Sequence, residues 1–264
     1  MTDEEGGKTS KLNFAVPTGN FGDILAGYYA KRMGLPIDKL IICTNENDVL
    51  HRFLQEGSYR RDGCKLTIAP SMDISVSSNF ERYLFYLCGE SPEILAHWMQ
   101  TFESTGKVNI SKELVERAKT DFLSYSSNEA LILKAMKRIW DQEQYLVCPH
   151  TATAVVATEA LKLPAATTVC LATAHPAKFE EAVSKSLNVC LDRPKILNDL
   201  FSLPIRTYSL PNSLGSVVSF VRERVKRKSS WKNYIGALSV TAISIAAIIS
   251  ISFFLASNKG RKYR

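Results

Sequence analysis

The sequence predicts an α/β domain, a parallel sheet with flanking helices, followed by one C-terminal transmembrane helix. Three observations carry that expectation. A short apolar run, Asn13 to Val16, leads through a glycine-bearing turn into a helical pattern and then into a second apolar run, Lys39 to Thr44; that order makes a β-α-β unit, which requires a parallel sheet. The order of strand, turn and helix returns near Val169. Finally, the 22 residues from Ile235 to Ala256 carry no charge.

The elements follow in chain order. Asn13 to Val16 is the first strand, and Pro17-Thr18-Gly19-Asn20-Phe21-Gly22-Asp23 is the turn after it. Ile24 to Met33 is a helix closed by Gly34. Lys39 to Thr44 is the second strand, with Lys65 to Ile68 as a further strand. Ser91-Pro92 opens a helix with a cap and an N1 proline. Ser111 opens another, with Leu114, Ala118 and Phe122 on one face, and Asn128 a third that runs to Trp140, so the middle of the chain reads as helical. Tyr145 to Val147 and Val169 to Ala172 return to strand character, followed by helices at Ala152 to Leu161 and Pro176 to Leu187.

Composition narrows the class. The chain has 264 residues, 45% of them apolar and 22% charged, with 13 Gly and 10 Pro, which excludes collagen-like and wholly disordered proteins. Its net charge of +7 is unevenly placed: Arg222 to Arg264 holds ten basic residues and one Glu. The basic charge therefore flanks an apolar terminal segment, which fits a membrane surface and not nucleic acid. The six cysteines show no Cys-x-x-Cys pair, as expected of free, partly buried thiols in a reducing compartment.

The organisation expected is a disordered N-terminus at 1–12, a folded body at 13–225, a basic linker at 226–234, a transmembrane helix at 235–256 and a basic tail at 257–264. At about 1.5 Å per residue the uncharged segment matches a hydrocarbon core of about 30 Å. Trp231 and Tyr234 sit at interfacial positions, and lysines and arginines flank both ends. With only eight residues after it, 257–264, insertion follows translation. The expectation is a tail-anchored protein of the mitochondrial outer membrane or endoplasmic reticulum, its body facing the cytosol, or a cytoplasmic one without the anchor.

A Gly-x-x-Gly turn between a parallel strand and a helix exposes successive N–H groups beside the positive end of the helix dipole, a site for a phosphate monoester. Gly19 to Asp23 is such a turn. Asp23 falls where the helix begins, as a cap would. No Gly-Lys-Ser/Thr follows and no third glycine is suitably spaced, so this is neither a P-loop nor a dinucleotide fingerprint.

The segment Val16-Pro17-Thr18-Gly19-Asn20-Phe21-Gly22-Asp23-Ile24-Leu25-Ala26-Gly27 resembles the phosphate loop of threonine synthases. Three further blocks agree in order: Thr44 to Leu50; Pro70-Ser71-Met72-Asp73-Ile74 with Ser77 to Arg82; and Pro149-His150-Thr151-Ala152 with Ala172 to Phe179. The resemblance runs from about Asn13 to about Val225. It implies a partial fold type II domain that uses pyridoxal 5'-phosphate to convert O-phospho-L-homoserine and water into L-threonine and phosphate.

By the same resemblance Gly19, Asn20, Phe21, Gly22 and Asp23 hold the cofactor phosphate, and the hydroxyl of Thr173 meets the pyridine nitrogen. Asn79 and Arg82 are candidates for substrate phosphate, with a helix cap and a solvated arginine as the alternative. The family's Schiff-base lysine lies upstream of the phosphate loop in a Ser-Phe-Lys-Asp-like segment that this sequence does not contain, and Lys178 reads as a helix-surface lysine. The chain alone is thus expected to lack catalysis and to work with a complementary N-terminal half. The alternative is a non-catalytic, tail-anchored remnant that binds a phosphate ligand or a protein partner.

His51, His97, His150 and His175 lack metal-ligand spacing, so no metal is expected. His150 and His175 each precede a helix after a strand and read as caps, with a place on the active-site rim as the alternative.

Overall fold

The computed structural model describes residues 11–187 and 193–226, which fall into two compact units divided after Asp199. The first unit is built on four parallel strands. Leu12–Pro17 (β1), Ile37–Thr44 (β2), Phe122–Ser126 (β5) and Thr168–Cys170 (β6) lie in the order β5-β2-β1-β6, and every neighbouring pair is parallel. A separate antiparallel pair joins Ser58–Arg60 (β3) to Lys107–Asn109 (β4).

Between β1 and β2 runs α1 (Gly22–Arg32), and α2 (Val49–Glu56) follows β2. Next come α3 (Phe80–Leu87), α4 (Pro92–Thr105) and α5 (Lys112–Asp121). After β5 come α6 (Glu129–Glu143), α7 (Pro149–Ala160), α8 (Glu180–Ser186) and α9 (Lys195–Leu200). Side chains cap several N-termini as the sequence predicts. Ser91, Ser111 and Asn128 accept the N–H groups of Ile94, Leu114 and Leu131.

Strand β2 is central, and its last five residues are buried on both faces. Leu40 and Ile42 face a large core containing Phe21, Ile24, Leu25, Phe53, Phe80, Tyr83 and Phe122. Ile41 and Cys43, with Ala15 of β1, face Ala154 and Ala157 of α7. The alanines leave that helix no bulk on its inner face, so it lies close against the sheet. Both faces of the sheet are thereby covered.

Four expectations are corrected. Residues 65–68 form no strand, because the N–H groups of Lys65 and Thr67 donate to the side chains of Asn47 and Asp73 instead of a neighbouring strand. Residues 145–147 are likewise irregular and lead into the cap of α7. Phe122 does not extend α5; it begins β5, a buried strand hidden inside an apparently helical stretch. The predicted helix from Pro176 to Leu187 is two pieces, a 3-10 turn at Pro176–Lys178 and then α8.

The free cysteines Cys43 and Cys148 are buried, Cys88 and Cys170 half-buried and Cys64 exposed. Burial pushes the Cys43 thiol well up, and the nearby Cys170 adds to it. Within the second unit, residues 214–226 are helical, and Tyr208 packs on Phe220 with centroids 5.2 Å apart. Among the described residues no helix is long and apolar enough to cross a membrane. The expected anchor at 235–256, the basic tail, most of the basic linker and nearly all of the N-terminal segment lie outside the described residues.

Candidate functional site

The residues predicted to hold the cofactor lie past the carboxyl ends of strands, where ligands bind in open α/β sheets. Gly19 to Asp23 follow β1, and Thr173 follows β6. These two strands are adjacent: Ala15 pairs with Cys170, and the N–H of Leu171 donates to the carbonyl of Ala15 at 2.9 Å. The two loops therefore leave the sheet side by side. The first turn of α7 comes to the same edge, because the N–H of Thr173 donates to Oγ1 of Thr151 at 3.3 Å.

The loop after β1 is held by its surroundings. Thr18 closes the strand, its N–H donating to the carbonyl of Cys43 at 2.7 Å and its hydroxyl to that of Val16 at 2.6 Å. Ser77 then donates its hydroxyl to the carbonyl of Gly19 at 3.0 Å. Asn20 is fixed twice: its Oδ1 accepts the N–H of Ser78 at 2.6 Å, and its carbonyl accepts Nδ2 of Asn79 at 2.7 Å.

Phe21 has a left-handed backbone, φ 62° and ψ 0°, directly before α1. That conformation is unfavourable for any residue with a side chain. Its ring is buried against Phe80, Tyr83 and Phe122, which holds the backbone in place. Gly19 lies hard against the turn at residues 70–72, where an added Cβ would stand 3.0 Å from Cα of Met72 and 3.3 Å from the carbonyl oxygen of Ser71.

Among the described residues, the N–H groups from Gly19 to Ile24 have no acceptor. Six consecutive donors at the N-terminus of an eleven-residue helix are a fitting cradle for a phosphate. The cradle is a backbone one. Asn20 and Phe21 spend their side chains on the protein, and Asp23 does not cap α1. The N-cap position is Phe21, and Asp23 is an exposed residue of the first turn, because the left-handed kink starts the helix two residues earlier than the pattern suggests.

Thr173 is exposed. Asn79 stands at the N-cap position of α3, where its Oδ1 accepts Nη2 of the exposed Arg82. His175 caps the 3-10 turn as predicted, its Nδ1 accepting the N–H of Ala177 at 3.2 Å. His150 does not cap α7. Cys148 does so, its Sγ accepting the N–H of Thr151 at 3.4 Å, because α7 begins three residues before the apolar pattern that marked it.

Residues outside the predicted set shape the edge. Oδ1 of Asp73 accepts from Thr67 Oγ1 at 2.7 Å, Asn45 Nδ2 at 2.7 Å and Asn47 Nδ2 at 3.0 Å. Its Oδ2 accepts the N–H of Thr67 at 2.8 Å. Asn45 is fully buried. The network fixes the segment that carries Ser71 and Met72 against Gly19. In the sequence Asn45, Asn47 and Asp73 fall in blocks of the resemblance, but no spacing rule connects them with one another or with Thr67.

A parallel α/β sheet whose carboxyl edge carries an open loop-to-helix row of N–H donors is the class of fold and site that the structure defines. Within that class, residues 151–221 match the family model described as threonine synthase, C-terminal. The chain is 44% identical over 207 residues to threonine synthase of Schizosaccharomyces pombe, covering 69% of this chain and 40% of that protein. It is 40% identical over 216 residues to threonine synthase of Pseudomonas aeruginosa, covering 81% and 46%. The solved structure of PLP-bound threonine synthase from Brucella melitensis superposes with a TM-score of 0.75 at 40% identity, covering 83% of this chain and 47% of that one. Over these stretches the chain is homologous to threonine synthases. It spans less than half the length of these relatives.

Proposed function

We propose that this chain supplies the cofactor-holding portion of a pyridoxal 5'-phosphate-dependent lyase of the threonine synthase type, acting on O-phospho-L-homoserine and water to give L-threonine and phosphate. The observation that carries this reading is the row of unpaired N–H groups from Gly19 to Ile24, beside the loop that bears Thr173. Bound there, the cofactor supplies an electron sink for charge developed next to the substrate amino group.

The chain's own residues have distinct tasks. Backbone N–H groups of Gly19 to Asp23 take the cofactor phosphate, favoured by the α1 dipole. Asp23 would repel a dianion, so its exposed carboxylate points to a backbone contact only. The hydroxyl of Thr173 meets the ring nitrogen as a neutral partner, holding the ring without imposing a full positive charge on it. Arg82, steered by Asn79, offers a two-pronged donor for the substrate phosphate. The lysine that the reaction requires is assigned to a complementary N-terminal half, because Lys178 is an exposed residue of the 3-10 turn beyond Thr173.

Titrating the chain with pyridoxal 5'-phosphate by calorimetry tests the binding, with Gly19→Ala and Thr173→Val as controls. Saturable binding lost in Gly19→Ala supports the reading, and no heat from the parent chain overturns it. Adding a complementary N-terminal half and measuring phosphate release from O-phosphohomoserine tests the chemistry.

The uncharged segment 235–256 with basic flanks favours a second element of the reading, a membrane anchor that holds the body on the cytosolic face of the mitochondrial outer membrane or endoplasmic reticulum. Release of the full chain into the supernatant on carbonate extraction would sink it.

A further inference from the structure

The second and third residues of α7, His150 and Thr151, are both buried at the sheet edge. They reach two different segments at that edge. The N–H of Ser71 donates to Nε2 of His150 at 3.1 Å, and Ser71 belongs to the turn against which Gly19 is packed. The N–H of Thr173 donates to the hydroxyl of Thr151. We infer that the first turn of α7 is a positioning clamp: His150, as a hydrogen-bond acceptor, sets the phosphate loop through Ser71 while Thr151 sets Thr173, so that one helix end keeps the two poles of the ligand site in register.

The chemistry of the imidazole supports this role. A backbone N–H can only donate, so Nε2 is unprotonated and the proton sits on Nδ1. Nδ1 is buried and has no hydrogen-bond partner among the described residues. The ring packs on Phe179 with centroids 4.4 Å apart. Of its two nitrogens, the one bonded to another segment is the one that faces Ser71. Burial lowers its pKa to about 4, with Asp73 acting against the shift and Lys178 adding to it, so the acceptor persists at neutral pH. Neither His150 nor Thr151 is asked to touch ligand; both act through the segments they hold.

The inference rests on the proposed ligand site, but its test separates the two. In the full chain, His150→Leu fills the same space without an acceptor, and His150→Gln restores one. Amide resonances of Ser71 and of Gly19 to Gly22 are compared, together with affinity for pyridoxal 5'-phosphate as the probe. His150→Leu should move those amides and weaken the probe by about tenfold or more, with His150→Gln returning both towards the parent. Thr151→Val, which leaves the imidazole alone, should move the amide of Thr173 and spare those of Ser71 and Gly19. Amides of Gly19 to Gly22 that stay put in His150→Leu while its thermal midpoint falls would overturn the clamp. A parent chain that never binds the probe refutes the ligand site instead, and the amide comparison still decides the clamp.

Discussion

The ring of Phe21 meets that of Phe80 edge to face, with centroids 5.1 Å apart, although the Phe21 backbone holds a φ of 62°. Burial of the ring thus sustains an unfavourable backbone at the mouth of α1. Phe21→Ala should lose about 3–5 kcal/mol from the emptied core. Phe21→Gly removes the same ring and also the strain, so it should be more stable than Phe21→Ala by about 1 kcal/mol, the reverse of their usual order. Urea midpoints of the two variants decide this.

Gly19 and Gly22 should differ in their tolerance of a methyl group. At Gly19 the obstacle is backbone, 3.0 Å away at Met72; at Gly22 it is the side-chain amide of Asn79 at 3.3 Å, which can turn aside. Gly19→Ala is expected to cost about 1–3 kcal/mol and to abolish phosphate binding, with Gly22→Ala well under that. Thermal unfolding with and without inorganic phosphate reads both.

Asp73→Ala should cost about 2–4 kcal/mol, because it strips four hydrogen bonds from one carboxylate and takes the acceptor from the N–H of Thr67. Asp73→Asn keeps the shape and part of the acceptance, so it should fall between the parent and Asp73→Ala. Equal losses in the two variants would show that the acceptor oxygens contribute nothing.

Stability should fall in mild acid through His150. Its unfolded pKa is about 6.5, and burial lowers the folded value to about 4. Between those values the unfolded chain binds a proton that the folded chain does not. The contribution of the neutral ring is therefore complete above about pH 6.5 and is lost as pH drops towards 4, by on the order of 2–3 kcal/mol. His51, whose pKa burial also lowers, adds a slope of the same sign. Urea midpoints of His150→Gln across this range should be the flatter set, while those of the parent fall.

Much of the fold was legible along the chain because short-range rules govern it. The β1-turn-α1-β2 unit and the capped helices α4, α5 and α6 fall where their apolar periods and capping residues put them. Strand β5 was not legible: Phe122 continues the apolar spacing of α5, and only pairing with β2 draws it into the sheet. Residues 65–68 failed in the opposite sense, since their strand-like pattern serves a loop fixed by Asp73. The site residues themselves were named from motif blocks, but the parts played by Ser77, Ser78, Asp73 and His150 were not, because each acts on a residue distant in sequence.

The sequence by itself determined the residue types at the carboxyl edge of the sheet, the glycine-bearing turn before a helix, and the charge-free segment at 235–256, all of which follow from local composition and spacing. Only the tertiary structure decided that the loop after β1 offers backbone N–H groups, and not side chains, to a ligand. The ring of Phe21 had to be buried and the side chain of Asn20 bound to Ser78 before the free N–H groups remained as the donors. The physical reason is range. Helix and turn preferences are settled within a few residues, whereas the strain at Phe21, the stop against Gly19 and the bond from Ser71 to His150 exist only once segments far apart in the chain have packed together.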